Sequence, residues 1–197
     1  MATRTGERKV QILQVLAEML QDPKGERITT AALAAKLQVS EAALYRHFAS
    51  KAQMYEGLIG FIEETIFGLA NKITADEPDG LKQVHQLLAM LLSFAEKNPG
   101  MVRVLIGDAL VNEDERLQAR INQLHDRIES TLKQCLRVAH TQAPAGGAQA
   151  PDEDPAARAN VLVCYVVGRW HQFAKSGFKR DPLALWPEHW KILVNSF

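Results

Sequence analysis

Apolar residues recur three and four positions apart in almost every stretch of this 197-residue chain, and that period leaves few folds open to it. Ile12, Leu13, Leu16, Met19 and Leu20 form one stripe, and Met54, Leu58, Phe61, Ile62, Thr65 and Leu69 a second. Leu81, Val84, Leu87, Leu88, Leu91 and Leu92 form a third, and Leu117, Ile121, Leu124, Ile128, Leu132 and Cys135 a fourth. Each stripe lies on one face of a helix. The two-residue alternation of a half-buried strand is scarce, so the chain is expected to be all-α, with about nine helices. At 47% hydrophobic residues it has enough apolar surface to bury a core.

The helical segments differ in scale. Between Thr29 and Phe48 they are about eight residues long with a connection of about three, whereas those after Ser50 are two to three times longer. This predicts a small three-helix domain over residues 1–50, joined through a continuous helix to a larger body over residues 51–197. Thr29, Ser40 and Ser50 stand where N-caps are needed, and Asn98 precedes a proline at the first helical position. Residues 141–154 lie in an Ala-, Pro- and Gly-rich stretch that predicts a flexible surface loop.

Formal net charge is zero, so any surface for a polyanion has to be local. Residues 1–51 carry eight Lys or Arg against five acids, a local balance of +3. Cys135 and Cys164 sit in apolar helical surroundings without a second thiol nearby, and are expected to be buried free thiols of a reducing compartment. The N-terminus opens with charges and no apolar h-region, and the run VLVCYVV is too short to cross a bilayer, so a cytoplasmic protein is expected. There are no paired carboxylates in an apolar setting, no Gly-rich phosphate loop and no Ser/His/Asp order. His171 and His189 stand beside tryptophans without a second ligand at metal spacing. Neither an enzyme nor a metal or cofactor is expected.

The segment ITTAALAAKLQVSEAALYRHF, residues 28–48, carries the functional signal. Leu33 and Leu37 give a first helix its inner face, Ala34 permits close approach, Val39 fills a turn, and Leu44 and Phe48 give a second helix its inner face. This is a helix-turn-helix pattern, although a plain helical hairpin would satisfy it too. The outward residues separate the two readings. Tyr45, Arg46, His47 and Lys51 can each hydrogen-bond a phosphate oxygen, and none is needed to bury the second helix. Thr29 and Thr30 open the first helix, where free backbone N–H groups favour a phosphate. Arg4, Arg8 and Lys9 lie upstream, suited to a mobile arm on the DNA backbone or in a minor groove.

The stretch TTAALAAKLQVSEAALYRHFASKAQMYEGLI resembles the DNA-binding domain of TetR-type regulators, whose helix-turn-helix ends in Leu-Tyr-x-His-Phe and is followed by a lysine opening the connecting helix. The resemblance implies that Tyr45, His47 and Lys51 contact phosphates, that Thr29 anchors the first helix, and that Ser40, Glu41, Ala42 and Ala43 lie nearest the base edges. Further on, FIEE, EKNPGMVRVLIGDAL, DERLQARINQLHDRIESTLKQCLR and FAKSGFKRDP are similar to nucleoid occlusion factors of the SlmA type, in which a DNA-bound dimer inhibits the division GTPase FtsZ. The positions matching that family's FtsZ-facing groove are Phe61, Met90, Lys97 and Asn98. Lys97 stands in place of an arginine, keeping charge but not fork geometry, and Leu69 stands where another arginine is expected. The alternative within the TetR type is a ligand-responsive transcriptional repressor with a small-molecule pocket; the Leu, Ile and Val of the stripes look more like a filled core.

ANVLVCYVVGRWHQF is apolar on nearly every side, so it must be covered on every side, and Gly168 permits close approach. With LALWPEHWKILVNSF it predicts half of a four-helix homodimer interface, as in TetR-type proteins, with Val161, Tyr165, Gly168, Trp186 and Trp190 as its candidates. A dimer matches a palindromic DNA site with half-sites about one helical turn apart or slightly more.

Overall fold

The computed structural model describes residues 2–22, 28–142 and 154–195. Among these, nine α-helices and one short 3-10 turn account for the regular structure, and there is no strand, as the period of the apolar residues requires. The helices are α1 (Ala2–Met19), α2 (Thr30–Lys36), α3 (Glu41–Tyr45), α4 (Lys51–Asp76), α5 (Gly80–Lys97), α6 (Pro99–Leu105), α7 (Glu115–Gln142), α8 (Pro155–Lys175) and α9 (Trp186–Asn195).

They form two compact units, Met1–Glu64 with Asn98–Ile121, and Thr65–Lys97 with Asn122–Phe197. The division therefore differs from the one expected at residue 50. The first unit takes in α6 because α6 is fastened to α1. Gly100 approaches α1 so closely that a Cβ there would lie 1.9 Å from the carbonyl oxygen of Ala17. Nearby, Arg103 donates to the Asp22 carbonyl at 3.3 Å and pairs with Asp108 at 3.2 Å. The core of this unit is built from Ile12, Leu16, Leu33, Leu44, Met54 and Leu58, joined by Val102, Leu105, Leu117 and Ile121 from the later segment.

In the second unit α5 packs on α8. Trp170 is fully buried, and its indole N–H donates to the Leu91 carbonyl at 3.1 Å, which satisfies the polar handle of an otherwise apolar side chain. The start of α5 lies against α7, where a Cβ on Gly80 would meet the Ala139 nitrogen at 2.2 Å. The Gln142 side chain accepts from the Gly80 N–H at 2.9 Å and donates to the Pro78 carbonyl at 2.7 Å. That pair of bonds keeps Thr141 and Gln142 helical, where the composition predicted a loop from 141. At the other end Asp154 caps α8 by accepting from the Ala156 N–H at 2.9 Å. Residues 143–153 of the expected loop lie outside the described residues.

Two expectations from periodicity need correcting. In α4 the buried arc is Met54, Tyr55, Leu58, Ile59, Ile62, Ile66, Phe67 and Ala70, while Phe61 and Leu69 are 47% and 44% exposed. Apolar residues wrap so much of this helix that spacing alone did not say which arc faces inward. Cys135 is buried as expected, but Cys164 is exposed. It shares an outward line on α8 with Val161 and Gly168, at positions i, i+3 and i+7. Among the described residues no helix is long and apolar enough to cross a membrane.

Candidate nucleic-acid interface

The short helices α2 and α3 owe their positions to their ends. Thr29 caps α2, its hydroxyl accepting from the Ala32 N–H at 3.1 Å, and Ser40 caps α3 by accepting from the Ala43 N–H at 3.3 Å. Gln38 takes a left-handed φ of 55° after α2, so that its N–H reaches the Ala35 carbonyl and the N–H of Val39 reaches that of Ala34. These two bonds close a Schellman turn, and the chain leaves α2 in the direction that starts α3. Ser50 then caps α4 through the Gln53 N–H at 3.1 Å, while the Gln53 side chain accepts from the Ala49 N–H at 2.9 Å. Short-range bonds and one left-handed residue thus fix the helix-turn-helix and its junction to α4.

With Leu33, Ala34, Leu37, Leu44 and Phe48 buried, the outer residues of α3 face solvent. Tyr45 is 45% exposed and Arg46 is exposed, as are Glu41 and Ala42, with Ala43 half-buried. His47 is half-buried, with its Nδ1 buried and lacking a hydrogen-bond partner, so its ring is anchored by packing rather than by a polar contact on that edge. Thr30 is committed elsewhere: its hydroxyl donates to Glu41 Oε2 at 2.6 Å, tying the first turn of α2 to the first turn of α3. Thr29, Thr30 and Lys51 line one shallow hollow together with Leu16, Ile28, Leu33 and Met54.

The upstream cations do not stand on an extended arm, because α1 begins at Ala2. Arg8 hydrogen-bonds the Gln11 side chain, and the Lys9 ammonium lies 5.5 Å from the centre of the Phe48 ring. Lys9 therefore covers the edge of the small core as well as adding charge beside it. The side chain of Arg4 lies outside those described.

Lys51 carries the largest difference from expectation. Its ammonium pairs with Glu113 at 2.5 Å and lies 5.6 Å from the centre of the Tyr55 ring. Two more pairs join the same segment to α4. Arg120 donates twice to the Glu63 carboxylate, at 3.1 and 2.6 Å, and once to the Glu56 carbonyl at 3.1 Å; the Glu63 hydrogen bonds push its pKa up. Arg116 pairs with Glu56 of α4 at 3.9 Å and with Asp114 at 2.7 Å, and the bond to Asp114 holds that carboxyl below its ordinary range. Glu113, Glu63 and Arg120 were missed in the sequence, and no local pattern points to them, since the partners are 57 to 62 residues apart.

Residues matched to the partner groove divide between the units. In the first, Phe61 presents a half-exposed ring, and Asn98 occupies the cap position of α6 without a side-chain capping bond. In the second, Lys97 is exposed at the end of α5, and Met90 is half-buried beside Phe67, Leu87 and Ile128 around a cavity of about 10 Å³.

Two family profiles match the chain. Residues 12–58 match the bacterial regulatory proteins of the tetR family, and residues 78–197 match the tetracyclin repressor-like, SlmA-like C-terminal domain. The nucleoid occlusion factor SlmA of Alteromonas mediterranea is 50% identical over 196 residues, covering 100% of this chain and 98% of that protein. SlmA of Marinomonas sp. is 46% identical over 199 residues with the same coverages. The chain belongs to the SlmA family of nucleoid occlusion factors. Solved structures place that family in the wider TetR fold: the TetR family transcriptional regulator PfmR from Thermus thermophilus superposes with a TM-score of 0.74 at 20% identity, covering 93% of this chain and 97% of that one. FadR from Bacillus subtilis, in complex with stearoyl-CoA, gives 0.73 at 14% identity, covering 95% and 98%. At such identities the likeness is one of fold.

Among the residues predicted for this SlmA family member's dimer face, Val161 and Gly168 on α8 are the more open. Val161 is 47% exposed, Cys164 lies beside it, and a Cβ added to Gly168 would meet nothing within 4 Å. Tyr165 and the tryptophans are engaged within the second unit. Trp186 is buried and both tryptophan rings lie about 5 Å from His85, while the Tyr165 hydroxyl and His189 Nδ1 share a hydrogen bond of 2.9 Å. Leu185 and Ile192 are exposed as well, and are not among the residues that the sequence singles out. Among the described residues no group of three or more His, Cys, Asp or Glu is placed to hold a metal ion.

Proposed function

We propose that the chain acts as a homodimer that binds palindromic chromosomal DNA through α2 and α3 and, when bound, inhibits assembly of FtsZ, so that division is blocked over the nucleoid. The observation that carries the DNA half is the sorting of one segment by direction. Leu44 and Phe48 are spent on the core, while Tyr45, Arg46 and the solvent edge of His47 remain for phosphate oxygens, and Ser40, Glu41, Ala42 and Ala43 remain for base edges. Residues 1–50 are in this reading the DNA-binding domain and 51–197 the dimerisation and partner-binding body, acting in the cytoplasm on the nucleoid.

Small residues at the start of α3 offer few hydrogen bonds to bases, so part of the specificity comes from DNA shape and from two copies acting together. The open line of Val161, Cys164 and Gly168 supports a two-fold contact through α8, and exposed Leu185 and Ile192 are further apolar candidates for it. Phe61, Met90, Lys97 and Asn98 are the proposed FtsZ contacts. An aromatic ring held half-exposed on a rigid helix is an anchor of the kind protein interfaces use. With Leu69 in place of an arginine, the FtsZ contact of this chain has one fewer cation and a larger apolar share.

The ligand-responsive repressor has less support. The cavity beside Met90, at about 10 Å³, scarcely admits one water, whereas small-molecule sites run to several hundred Å³. Selection of bound duplexes from random DNA tests the first half of the proposal, and recovery of no enriched palindrome would count against it. Polymerisation of FtsZ with the protein and the selected duplex tests the second.

A further inference from the structure

Lys51 is held in a way that DNA and FtsZ binding leave unexplained. The family resemblance implies that Lys51 meets phosphate, yet its ammonium is already paired, and its partner is an acid with only 8% of its side chain exposed. Lys51 also lies beside Thr29 and Thr30, and the Glu113 carboxylate is held directly against its ammonium. A buried carboxylate at that spot is opposed to phosphate in two ways. It occupies the cation, and it repels the incoming anion in a setting where water screens little.

We infer that Glu113 is a specificity-determining residue of the DNA interface, holding Lys51 away from DNA unless a well-placed phosphate displaces it. The inference rests on the DNA-binding reading above. Binding to random sequence is almost wholly a matter of cation–phosphate contacts, so withholding one cation lowers it directly. A cognate duplex, docked in register by α3, places a phosphate where it competes with the carboxylate. Glu113 thus acts through Lys51, as a positioning residue, and it belongs to the segment before α7 that no local sequence pattern connects to the helix-turn-helix.

The test is fluorescence anisotropy of a labelled random-sequence duplex with the full-length protein, over a series of salt concentrations. Glu113→Gln removes the charge and keeps the shape. It is expected to steepen the plot of log K against log salt by about 0.9, equivalent to roughly eightfold tighter binding at about 0.1 M salt for one added phosphate contact. Glu113→Asp keeps the charge and should retain the wild-type slope, and Glu113→Gln in a Lys51→Ala background should produce no steepening. An unchanged or shallower slope in folded Glu113→Gln, or the same steepening without Lys51, overturns the inference. Wild-type protein that binds no duplex at all would instead overturn the DNA-binding reading itself.

Discussion

Gly100→Ala tests the junction that holds α6 in the first unit. The added Cβ would lie 1.9 Å from the Ala17 carbonyl oxygen, 3.0 Å from its carbon and 3.2 Å from Gln21 Cγ. The Gln21 side chain can swing aside, but the Ala17 oxygen belongs to the backbone of α1. Restoring a C···O separation of roughly 3.3 Å requires α6 to retreat by about 1.4 Å. Val102, Val104 and Leu105 on the same short helix are fully buried, so a retreat of that size forfeits much of their contact energy. Overpacking costs about 1–3 kcal/mol, and close to 3 where the clash is with backbone, offset by up to ~1 kcal/mol for replacing a helical glycine. For a chain of this length the net corresponds to a fall in melting temperature of roughly 5–10 °C. Differential scanning calorimetry reads it directly, with Gly68→Ala as the control, because a Cβ there meets nothing within 4 Å and should leave the melting temperature level or raise it. A Gly100→Ala protein that melts at or above the wild-type temperature would refute the packing argument.

The DNA and dimer surfaces, one ion pair and one buried thiol give further expected outcomes. Arg46→Ala should weaken binding to every duplex and lower the salt slope by about 0.9, whereas Tyr45→Phe should weaken binding with the slope unchanged, because a neutral hydroxyl releases no counterion; anisotropy titrations separate the two. Gly168→Ala should leave or slightly raise the stability of the isolated chain but weaken the dimer if α8 meets its copy there, which analytical ultracentrifugation detects. Arg120→Met removes two bonds to Glu63 and one to a carbonyl from a partly exposed site, a loss of about 1–2 kcal/mol in chemical denaturation. Burial pushes the Cys135 thiol up to about 11 from 9, so the unfolded chain gives up its proton first. The contribution of Cys135 to stability is therefore intact below pH 9 and is lost as pH rises from 9 towards 11. At about pH 8, below the ordinary thiol pKa, a thiol reagent should label Cys164 in the monomer but reach Cys135 only on unfolding.

What the sequence made legible was whatever depends on near neighbours. Helix starts at Thr29, Ser40 and Ser50 follow from a hydroxyl meeting an N–H three residues on, and the inward facing of Leu44 and Phe48 follows from their spacing. What stayed hidden depends on distant parts of the chain. Phe61 and Leu69 continue an apolar stripe, and only the packing of Tyr55, Ile59 and Ile66 on other elements shows that they lie on the open side. Lys51 looked free for phosphate because its partner lies 62 residues away, and Thr30 looked free because Glu41 is on the next helix. The arm expected around Arg8 and Lys9 is helical because the helix that carries the stripe beginning at Ile12 starts at Ala2, with the ammonium of Lys9 over the Phe48 ring.

Whether DNA switches on an inhibitor of division is decided by sedimenting GTP-assembled FtsZ with the full-length protein and three duplex conditions: none, a scrambled duplex and the selected palindrome. Pelleted FtsZ is expected to fall sharply with the palindrome alone and to recover when Phe61→Ala replaces the wild type. FtsZ that pellets equally under all three conditions, with the protein shown to be bound to its palindrome, would contradict the proposed function.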